Sequence, residues 1–153
     1  MFIMEKIAIV TGSSSGIGFE TALALARDGY YTYATMRDTK KSSKIIEVAK
    51  KENLEIEVLQ LDVDKEDTVK NAINKIVSDK KRIDVLVNNA GYGLFGCLED
   101  LSIDDLKSQF ETNFFGVVKT IFNRLDDTAV FLYFTKPVSS FLFDLRGQTF
   151  QVI

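Results

Sequence analysis

The stretch that decides the fold is "TGSSSGIG", residues 11–18, which directly follows the apolar run "IAIV" at residues 7–10. A short apolar run without alternation is typical of a strand buried on both faces. Residues 17–28 have the pattern of a helix, and Gly29 suits the position just past its end. A glycine-rich turn between such a strand and such a helix exposes backbone N–H groups at the positive end of the helix. The stretch therefore predicts an anion site of the kind that holds a pyrophosphate, although many tight turns of this type bind nothing.

Strand and helix signals alternate outward from this turn to about residue 122. This spacing favours right-handed βαβ crossovers and a parallel sheet with helices on both faces. The predicted fold class is α/β, a doubly wound parallel sheet (Rossmann-like) that is incomplete, since four strands can be identified. The strands are "KIAIV" (6–10), "YYTYATM" (30–36), "EIEVLQLDV" (55–63) and "IDVLVNNAG" (83–91).

Two helices carry signals for where they begin and which face they bury. Asp64 is placed to cap the third helix, and Ser102 and Asp105 open the fourth. Apolar residues recur at helical spacing along one stripe of each helix. The stripes are Val69, Ala72, Ile73, Ile76 and Val77 in the third helix, and Ile103, Leu106, Phe110, Phe114, Val117 and Ile121 in the fourth.

Composition excludes several classes of function. The 153 residues amount to one domain, and a net charge of −3 argues against nucleic-acid binding. The single cysteine, Cys97, cannot form an internal disulfide, which favours a reducing compartment and a cytoplasmic location. No apolar run approaches the length of about 20 residues that a membrane span needs. The absence of histidine and of a cysteine pair predicts no metal site.

Four motifs together resemble the short-chain dehydrogenase/reductase family. "TGSSSGIG" is similar to the family's cofactor turn, and "LDV" (61–63), "NNAG" (88–91) and "ETNFFG" (111–116) follow it in the family's order. The resemblance covers residues 5 to about 122. It implies an NAD(P)-dependent oxidoreductase acting on an alcohol/carbonyl pair. We accordingly divide the chain into a nucleotide-binding part, residues 1–123, and a diverged or non-family tail, residues 124–153.

The resemblance also assigns roles to individual residues. It implies that the Asp62 carboxylate meets the adenine amino group and that Asn113 belongs to the catalytic set. Simpler interpretations stay open, because Asp62 could begin a helix, Asn89 could form a turn, and Asn113 could be structural. The residues implied to bind the cofactor are Gly12, Ser13, Ser14, Ser15, Gly16, Ile17, Gly18, Asp62, Val63, Asn89, Ala90 and Gly91.

The end of the second strand bears on the choice of cofactor. An NAD site places a carboxylate there to bind the ribose 2′-OH, whereas a cation accommodates the 2′-phosphate of NADP. The acidic position is occupied by Met36, and Arg37 follows it. These residues predict NADP, with Arg37 binding the 2′-phosphate. NAD remains the alternative, because a small register error would make Asp38 the carboxylate.

The proton donor that the resemblance calls for is not found. The family uses Tyr-x-x-x-Lys on one helix face, and no such spacing occurs in these 153 residues. Tyr133 and Lys136 are one residue too close, and "VFLYF" (130–134) has the composition of a strand. We therefore expect a catalytically incomplete chain, truncated or shifted in reading frame near residue 123. A non-enzymatic NADP(H)-binding protein and a non-functional fragment are the alternatives.

Substrate and partners are less well defined. "ATMRD" (34–38) and "NNAGYGLFGCLED" (88–100) are similar to the steroid- and retinol-dehydrogenase-like branch of the family. That similarity implies a small hydrophobic alcohol or ketone as the substrate. Full-length relatives pair through helices at the flank of the sheet. Phe114, Phe115, Val117 and Val118 suit such a homo-oligomer, although they could equally be core residues.

Overall fold

A five-stranded parallel sheet forms the centre of the molecule. The computed structural model describes residues 5–94 and 101–123 and the backbone of residues 131–134. The strand order is β3-β2-β1-β4-β5, and every neighbouring pair is parallel. This order confirms the doubly wound α/β fold. The strands are β1 (Lys6–Val10), β2 (Tyr30–Met36), β3 (Ile56–Gln60), β4 (Val85–Asn88) and β5 (Phe131–Phe134).

Helices connect the strands in the order that the sequence predicts. A 3-10 turn, Thr39–Ser42, precedes the second helix. One long helical stretch follows β4 and contains a π-helical turn, Glu111–Phe115, which we call the π segment. The α-helices are α1 (Gly16–Arg27), α2 (Ser43–Glu52), α3 (Glu66–Lys80), α4 (Ile103–Phe110) and α5 (Gly116–Phe122).

Alternate residues of β1 supply two core layers, one on each face of the sheet. Ile7 and Ile9 belong to the layer that α3 covers, and Ala8 and Val10 belong to the layer that α1 covers. All four are buried, as the unbroken apolar run predicts. The predicted stripe of α3 is confirmed, with Val69, Ala72, Ile73 and Ile76 buried and Val77 packed against them.

Two predicted helix ends are confirmed and one is wrong. Gly29 has φ +84° and donates its N–H to the Ala26 carbonyl at 3.1 Å, just past the end of α1. Ser102 and Asp105 form the reciprocal capping box of α4. Asp64 does not cap α3, because the N-cap position is occupied by Lys65. The Asp64 N–H instead donates to the Asp62 carboxylate at 3.2 Å, which forms a turn before the helix begins.

The π segment breaks the apolar stripe predicted for the fourth helix. Its extra residue rotates the helix, so that Gly116 and Thr120 face the sheet and are buried. Ile103 and Phe110, which the stripe includes, are 65% and 62% exposed. Leu106, Phe114, Val117 and Ile121 are half-buried.

The strand predicted in "VFLYF" is confirmed for the backbone of residues 131–134. β5 pairs with the free edge of β4 in a register that runs from Val85 opposite Phe131 to Asn88 opposite Phe134. Cys97 and Lys136 lie outside the described residues. Within the part of the chain that the structure describes, no helix is both long and apolar enough to cross a membrane.

Candidate nucleotide site

The glycine turn lies where the carboxyl end of β1 passes into α1, at the edge of the sheet where doubly wound folds bind ligands. Gly12 and Gly16 have φ of +70° and +60°, a region that residues with a side chain rarely adopt. A Cβ at Gly16 would meet nothing within 4 Å. The Gly16 side of the turn therefore faces open space.

Asn89, at the end of β4, holds the turn from the other side. Its Nδ2 group donates to the carbonyls of Thr11 and Gly12, both at 3.0 Å. A Cβ at Gly18 would lie 2.2 Å from this Nδ2 and 2.3 Å from the Gly12 carbonyl oxygen. Glycine at position 18 thus lets the first turn of α1 approach both Asn89 and Gly12.

Thr11 is a site residue that the sequence interpretation missed. Its hydroxyl oxygen accepts hydrogen bonds from the N–H groups of Asn89 and Ala90, both at 3.0 Å. The hydroxyl is buried and lies 3.4 Å from the Val87 carbonyl, to which it donates. Thr11 is the first residue of "TGSSSGIG", and its position beside Gly12 is the sequence feature that could have identified it as a site residue.

The three serines of the turn have unequal roles. Ser13 is buried, and its N–H donates to the Thr35 carbonyl at 2.9 Å, which joins the turn to β2. Its hydroxyl donates to the Val10 carbonyl of β1 at 2.8 Å. Ser14 is half-buried and Ser15 is exposed. Ser15 is the N-cap of α1, but its side chain makes no capping hydrogen bond.

The N-terminus of α1 is open for a ligand. Among the described residues, no acceptor takes the N–H groups of Ile17 and Gly18, which belong to the first helical turn. The Ile17 side chain is 59% exposed beside them. Free N–H donors, open space at Gly16 and close packing at Gly12 and Gly18 together fit a pyrophosphate group.

The end of β2 has the register expected from the sequence. Met36 is the last residue of the strand and is buried, and the exposed Arg37 follows it. The Asp38 carboxylate accepts the Lys40 N–H at 3.0 Å and thereby caps the 3-10 turn. Within residues 5–94 and 101–123, the Arg37 guanidinium has no ion-pair partner. Arg37 is therefore an exposed cation without an ion pair among the described residues, as are Lys40 and Lys41 in the 3-10 turn that follows.

The end of β3 presents Asp62 and Val63. Thr68 of α3 fixes the main chain of Asp62: its hydroxyl accepts the Asp62 N–H at 3.0 Å and donates to the Asp62 carbonyl at 2.9 Å. Val63 is buried against Gly116 of α5, where a Cβ would lie 2.8 Å from the Val63 Cγ2 atom. Asp62 neither caps nor begins α3, so the helix-start interpretation of this residue is wrong.

Asn113 lies in the π segment and fixes the chain that follows β4. Its Oδ1 atom accepts the Tyr92 N–H at 3.0 Å, and its Nδ2 group donates to the Tyr92 carbonyl at 2.7 Å. Gln109 donates to the same carbonyl at 3.4 Å. π-helical turns occur frequently at functional sites. The position of Asn113 in such a turn therefore keeps it a candidate site residue in addition to its contacts with Tyr92.

The candidate residues therefore gather at one edge of the sheet. The glycine turn contacts Asn89 and Ala90 directly, and Arg37, Asp62 and Asn113 follow or flank the neighbouring strand ends. Tyr133 lies in β5 rather than on a helix, so it has no helical partner at i+4. Among the residues that can be described, no three His, Cys, Asp or Glu side chains form a group that could hold a metal ion.

Comparison with known proteins identifies the family. The family model described as short chain dehydrogenase matches residues 6–127, so the chain belongs to the short-chain dehydrogenase family. The "uncharacterized oxidoreductase YusZ" of Bacillus subtilis (strain 168) is 42% identical over 116 residues, which cover 74% of this chain and 41% of that protein. Retinol dehydrogenase 8 of Bos taurus is 43% identical over 121 residues, which cover 76% of this chain and 38% of that protein.

Solved structures agree with this assignment. An alcohol dehydrogenase from the archaeon Thermococcus sibiricus, complexed with 5-hydroxy-NADP, matches with a TM-score of 0.72 and 37% identity over 78% of this chain and 51% of that one. A short chain dehydrogenase from Burkholderia cenocepacia J2315, in complex with NADP, has a TM-score of 0.70 and 29% identity over 78% of this chain and 50% of that one. The chain spans about 40% of the length of the curated relatives.

Proposed function

We propose that the chain is the nucleotide-binding part of an NADP(H)-dependent oxidoreductase that interconverts an alcohol and a carbonyl compound. The observation that carries this proposal is the glycine turn, which Asn89 locks to β4 while Gly16 and the N-terminus of α1 stay open. When bound, the dinucleotide supplies or accepts the hydride. The chain's own residues bind it, orient it and shape the pocket.

Each candidate residue has a proposed role in this site. The N–H groups of Ile17 and Gly18, at the open end of the turn formed by residues 12–18, bind the pyrophosphate, with Ser14 and Ser15 beside it. Asp62 and Val63 bind the adenine, whereas Asn89, Ala90 and Gly91 line the path of the dinucleotide. Asn113 belongs to the catalytic set and orients the chain around Tyr92.

The preference for NADP rests on the end of β2. Asp38 is used as a cap, so the nearest carboxylate is engaged with the main chain, while the Arg37 guanidinium is exposed and free of ion pairs among the described residues. A guanidinium binds a phosphate through charge-assisted hydrogen bonds. Both solved structures named above, the alcohol dehydrogenase and the short chain dehydrogenase, contain NADP or an NADP derivative. These observations support NADP over NAD.

Fluorescence titration with NADPH and NADH tests the proposal directly. We expect NADPH to bind more tightly, and Arg37→Met to weaken NADPH binding by about one to two orders of magnitude, because one charge-assisted contact contributes about 1.5–3 kcal/mol. NADH binding by the same variant should hardly change. Lys51→Met, an exposed cation near the end of α2, is the matched control. Tighter binding of NADH by the wild-type chain would overturn the assignment.

Binding without turnover is the second candidate for this chain. The specific observation that favours it is the lack of Tyr-x-x-x-Lys in the sequence, together with the strand conformation around Tyr133. The two candidates are separated by following NADPH oxidation with hydrophobic aldehydes and ketones. NADPH binding with no NADPH oxidation supports a nucleotide-binding chain, and reduction of any of these carbonyl compounds at the expense of NADPH supports an enzyme.

The substrate class, the partners and the location are also proposals. A small hydrophobic alcohol or ketone is supported by the names of two relatives, retinol dehydrogenase 8 and the 3-ketodihydrosphingosine reductase of Bacteroides thetaiotaomicron, which is 40% identical over 116 residues. A second copy of the chain is the partner that the exposed apolar residues of α4 and α5 suggest. The single cysteine supports a cytoplasmic location, and the net charge of −3 does not favour nucleic acid as a partner.

A further inference from the structure

The helical stretch formed by α4, the π segment and α5 contacts the ends of two strands. Asn113 holds Tyr92, and the Thr120 hydroxyl donates to the buried Asn88 Oδ1 atom at 2.6 Å, so two contacts secure the end of β4. Two further contacts reach the chain after β3. One is the packing of Gly116 against Val63, and the other is made by Lys119.

Lys119 lies between the π segment and the loop that follows β3. Its Nζ group donates to the Asp64 carbonyl at 3.2 Å and forms an ion pair with the Glu111 carboxylate. The lysine side chain is 21% exposed, so most of it is packed against the protein, while both contacts of its Nζ group lie at the surface. Glu111 thus fixes the direction in which Lys119 points.

The same Asp64 residue contacts the Asp62 carboxylate. Its N–H donates to Asp62 Oδ1 at 3.2 Å, while its carbonyl accepts from Lys119. Thr68 holds the Asp62 main chain but does not touch the carboxylate. The orientation of the carboxylate therefore depends on Asp64, because the Lys65 ammonium is 3.9 Å away and 68% exposed.

We infer that Lys119, held by Glu111 and brought close by Gly116, is a positioning residue that orients the Asp62 carboxylate through the main chain of Asp64. Since this inference rests on the proposed function, its consequence is specific. In the proposed site, the Asp62 carboxylate accepts a hydrogen bond from the amino group of adenine. Lys119 therefore sets how strongly the site prefers adenine to a base without that group. The remainder of the dinucleotide is bound by other residues.

Two probes isolate this effect: NADPH and its analogue in which hypoxanthine replaces adenine. Hypoxanthine has a carbonyl where adenine has the amino group, and both probes retain the fluorescent dihydronicotinamide. We expect the wild-type chain to bind NADPH about tenfold more tightly than the analogue, which corresponds to one well-made hydrogen bond. Lys119→Met should reduce this ratio to within twofold of one while changing the affinity for the analogue little.

Three further variants of the 153-residue chain complete the test. Lys119→Arg keeps a cationic donor and should retain most of the preference for adenine. Glu111→Gln removes the ion pair alone, should reduce the preference about threefold, and serves as the test if Lys119→Met does not fold. Lys107→Met, on the exposed face of α4, is the matched control and should behave as the wild type.

The outcomes separate this inference from the proposed function. If the wild-type chain binds neither probe, the proposed function fails and the inference fails with it. If it binds NADPH and the analogue equally, or if Lys119→Met keeps the preference for adenine, the inference alone is overturned. Equal weakening of both probes by Lys119→Met also overturns it, because that result indicates general damage to the site.

Discussion

Gly12, Gly16 and Gly18 lie in one turn, yet the structure gives them different reasons for lacking a side chain. Gly16 has a positive φ and open space around the position of its absent Cβ. Gly18 lies in helical backbone, but its Cβ would overlap Asn89 and Gly12. Gly12 combines a positive φ with close approach to Ala90. One sequence motif therefore meets two separate physical requirements, which substitution can distinguish.

Alanine at Gly16 and at Gly18 should produce different defects. Gly18→Ala forces Asn89 away from the turn, and such overpacking costs about 1–3 kcal/mol. Both the free energy of unfolding and the affinity for NADPH should fall. Gly16→Ala adds the strain of a left-handed residue, about 1–2 kcal/mol, without a clash inside the protein. If Gly16 faces the ligand, the lost NADPH affinity should exceed that expected from the lost stability.

Urea unfolding and NADPH titration of the two variants check this difference. Gly29→Ala is the control, because Gly29 also has a positive φ in open space but lies at the far end of α1. Gly29→Ala should lower the free energy of unfolding as much as Gly16→Ala does. Its affinity for NADPH should equal that of the wild type. Equal loss of NADPH affinity in Gly16→Ala and Gly29→Ala would contradict a ligand at the turn.

At the scale of elements, the sequence predicted the parts governed by local periodicity and caps. The strand of buried residues before Gly12, the stripe of α3 and the capping box of Ser102 are all found, because each depends on neighbours along the chain. The π segment could not be predicted, since one inserted residue leaves the apolar content of the helix unchanged. The same limit applies to Lys119 and Thr68, whose partners are determined by how separate elements pack.

The starts of β1 and β4 are joined by a charged residue that the motifs do not include. The Asp84 carboxylate accepts the Ile7 N–H at 2.7 Å and hydrogen bonds from Arg82, whose Nε group lies 2.9 and 3.1 Å from the two carboxylate oxygens and whose Nη2 group also donates to Oδ1. Burial raises the pKa of Asp84, but the hydrogen bonds from Arg82 and from the Ile7 N–H outweigh it, so the pKa lies below its ordinary value. The folded state therefore favours the ionised carboxylate.

The stabilisation from Asp84 should depend on pH in a defined direction. A lowered folded-state pKa stabilises the protein above the ordinary aspartate pKa of about 3.9, and this contribution is lost as the pH falls through the folded-state value. Asp84→Asn should lower the free energy of unfolding at pH 7 by about 2 kcal/mol. It should also flatten the decline in stability below about pH 4.

Urea unfolding between pH 7 and pH 3 measures both effects. The control is Asp104→Asn on α4, whose side chain is 93% exposed and whose nearest cation, Lys107, is 3.6 Å away. We expect this control to keep the stability and pH dependence of the wild type, since exposed ion pairs contribute little. An unchanged slope in Asp84→Asn would show that the β1–β4 contact is not the source of acid sensitivity.

At the scale of the whole molecule, α1 and α3 bury their apolar faces against the sheet, whereas the helical stretch from α4 to α5 leaves part of its own exposed. The layers around α1 and α3 are closed, and β5 covers the outer edge of β4. The helical stretch from α4 to α5 leaves large apolar side chains uncovered, with Ile103, Phe110, Phe115 and Phe122 all about half exposed or more. Uncovered apolar patches of this kind mark contact surfaces, which is why we expect the chain to self-associate.

Sedimentation velocity over a range of protein concentrations tests that expectation. The wild-type chain should form dimers, and Phe110→Asp should weaken the association by one to two orders of magnitude, because burying a phenylalanine contributes about 1.5–3 kcal/mol. Ile46→Asp is the matched control: Ile46 is also an exposed apolar residue, but it lies on α2. A monomer at all concentrations, or equal effects of the two substitutions, would contradict pairing through α4 and α5. If Phe110→Asp yields a monomer that still binds NADPH, nucleotide binding needs one copy of the chain and does not depend on the exposed apolar residues of α4 and α5.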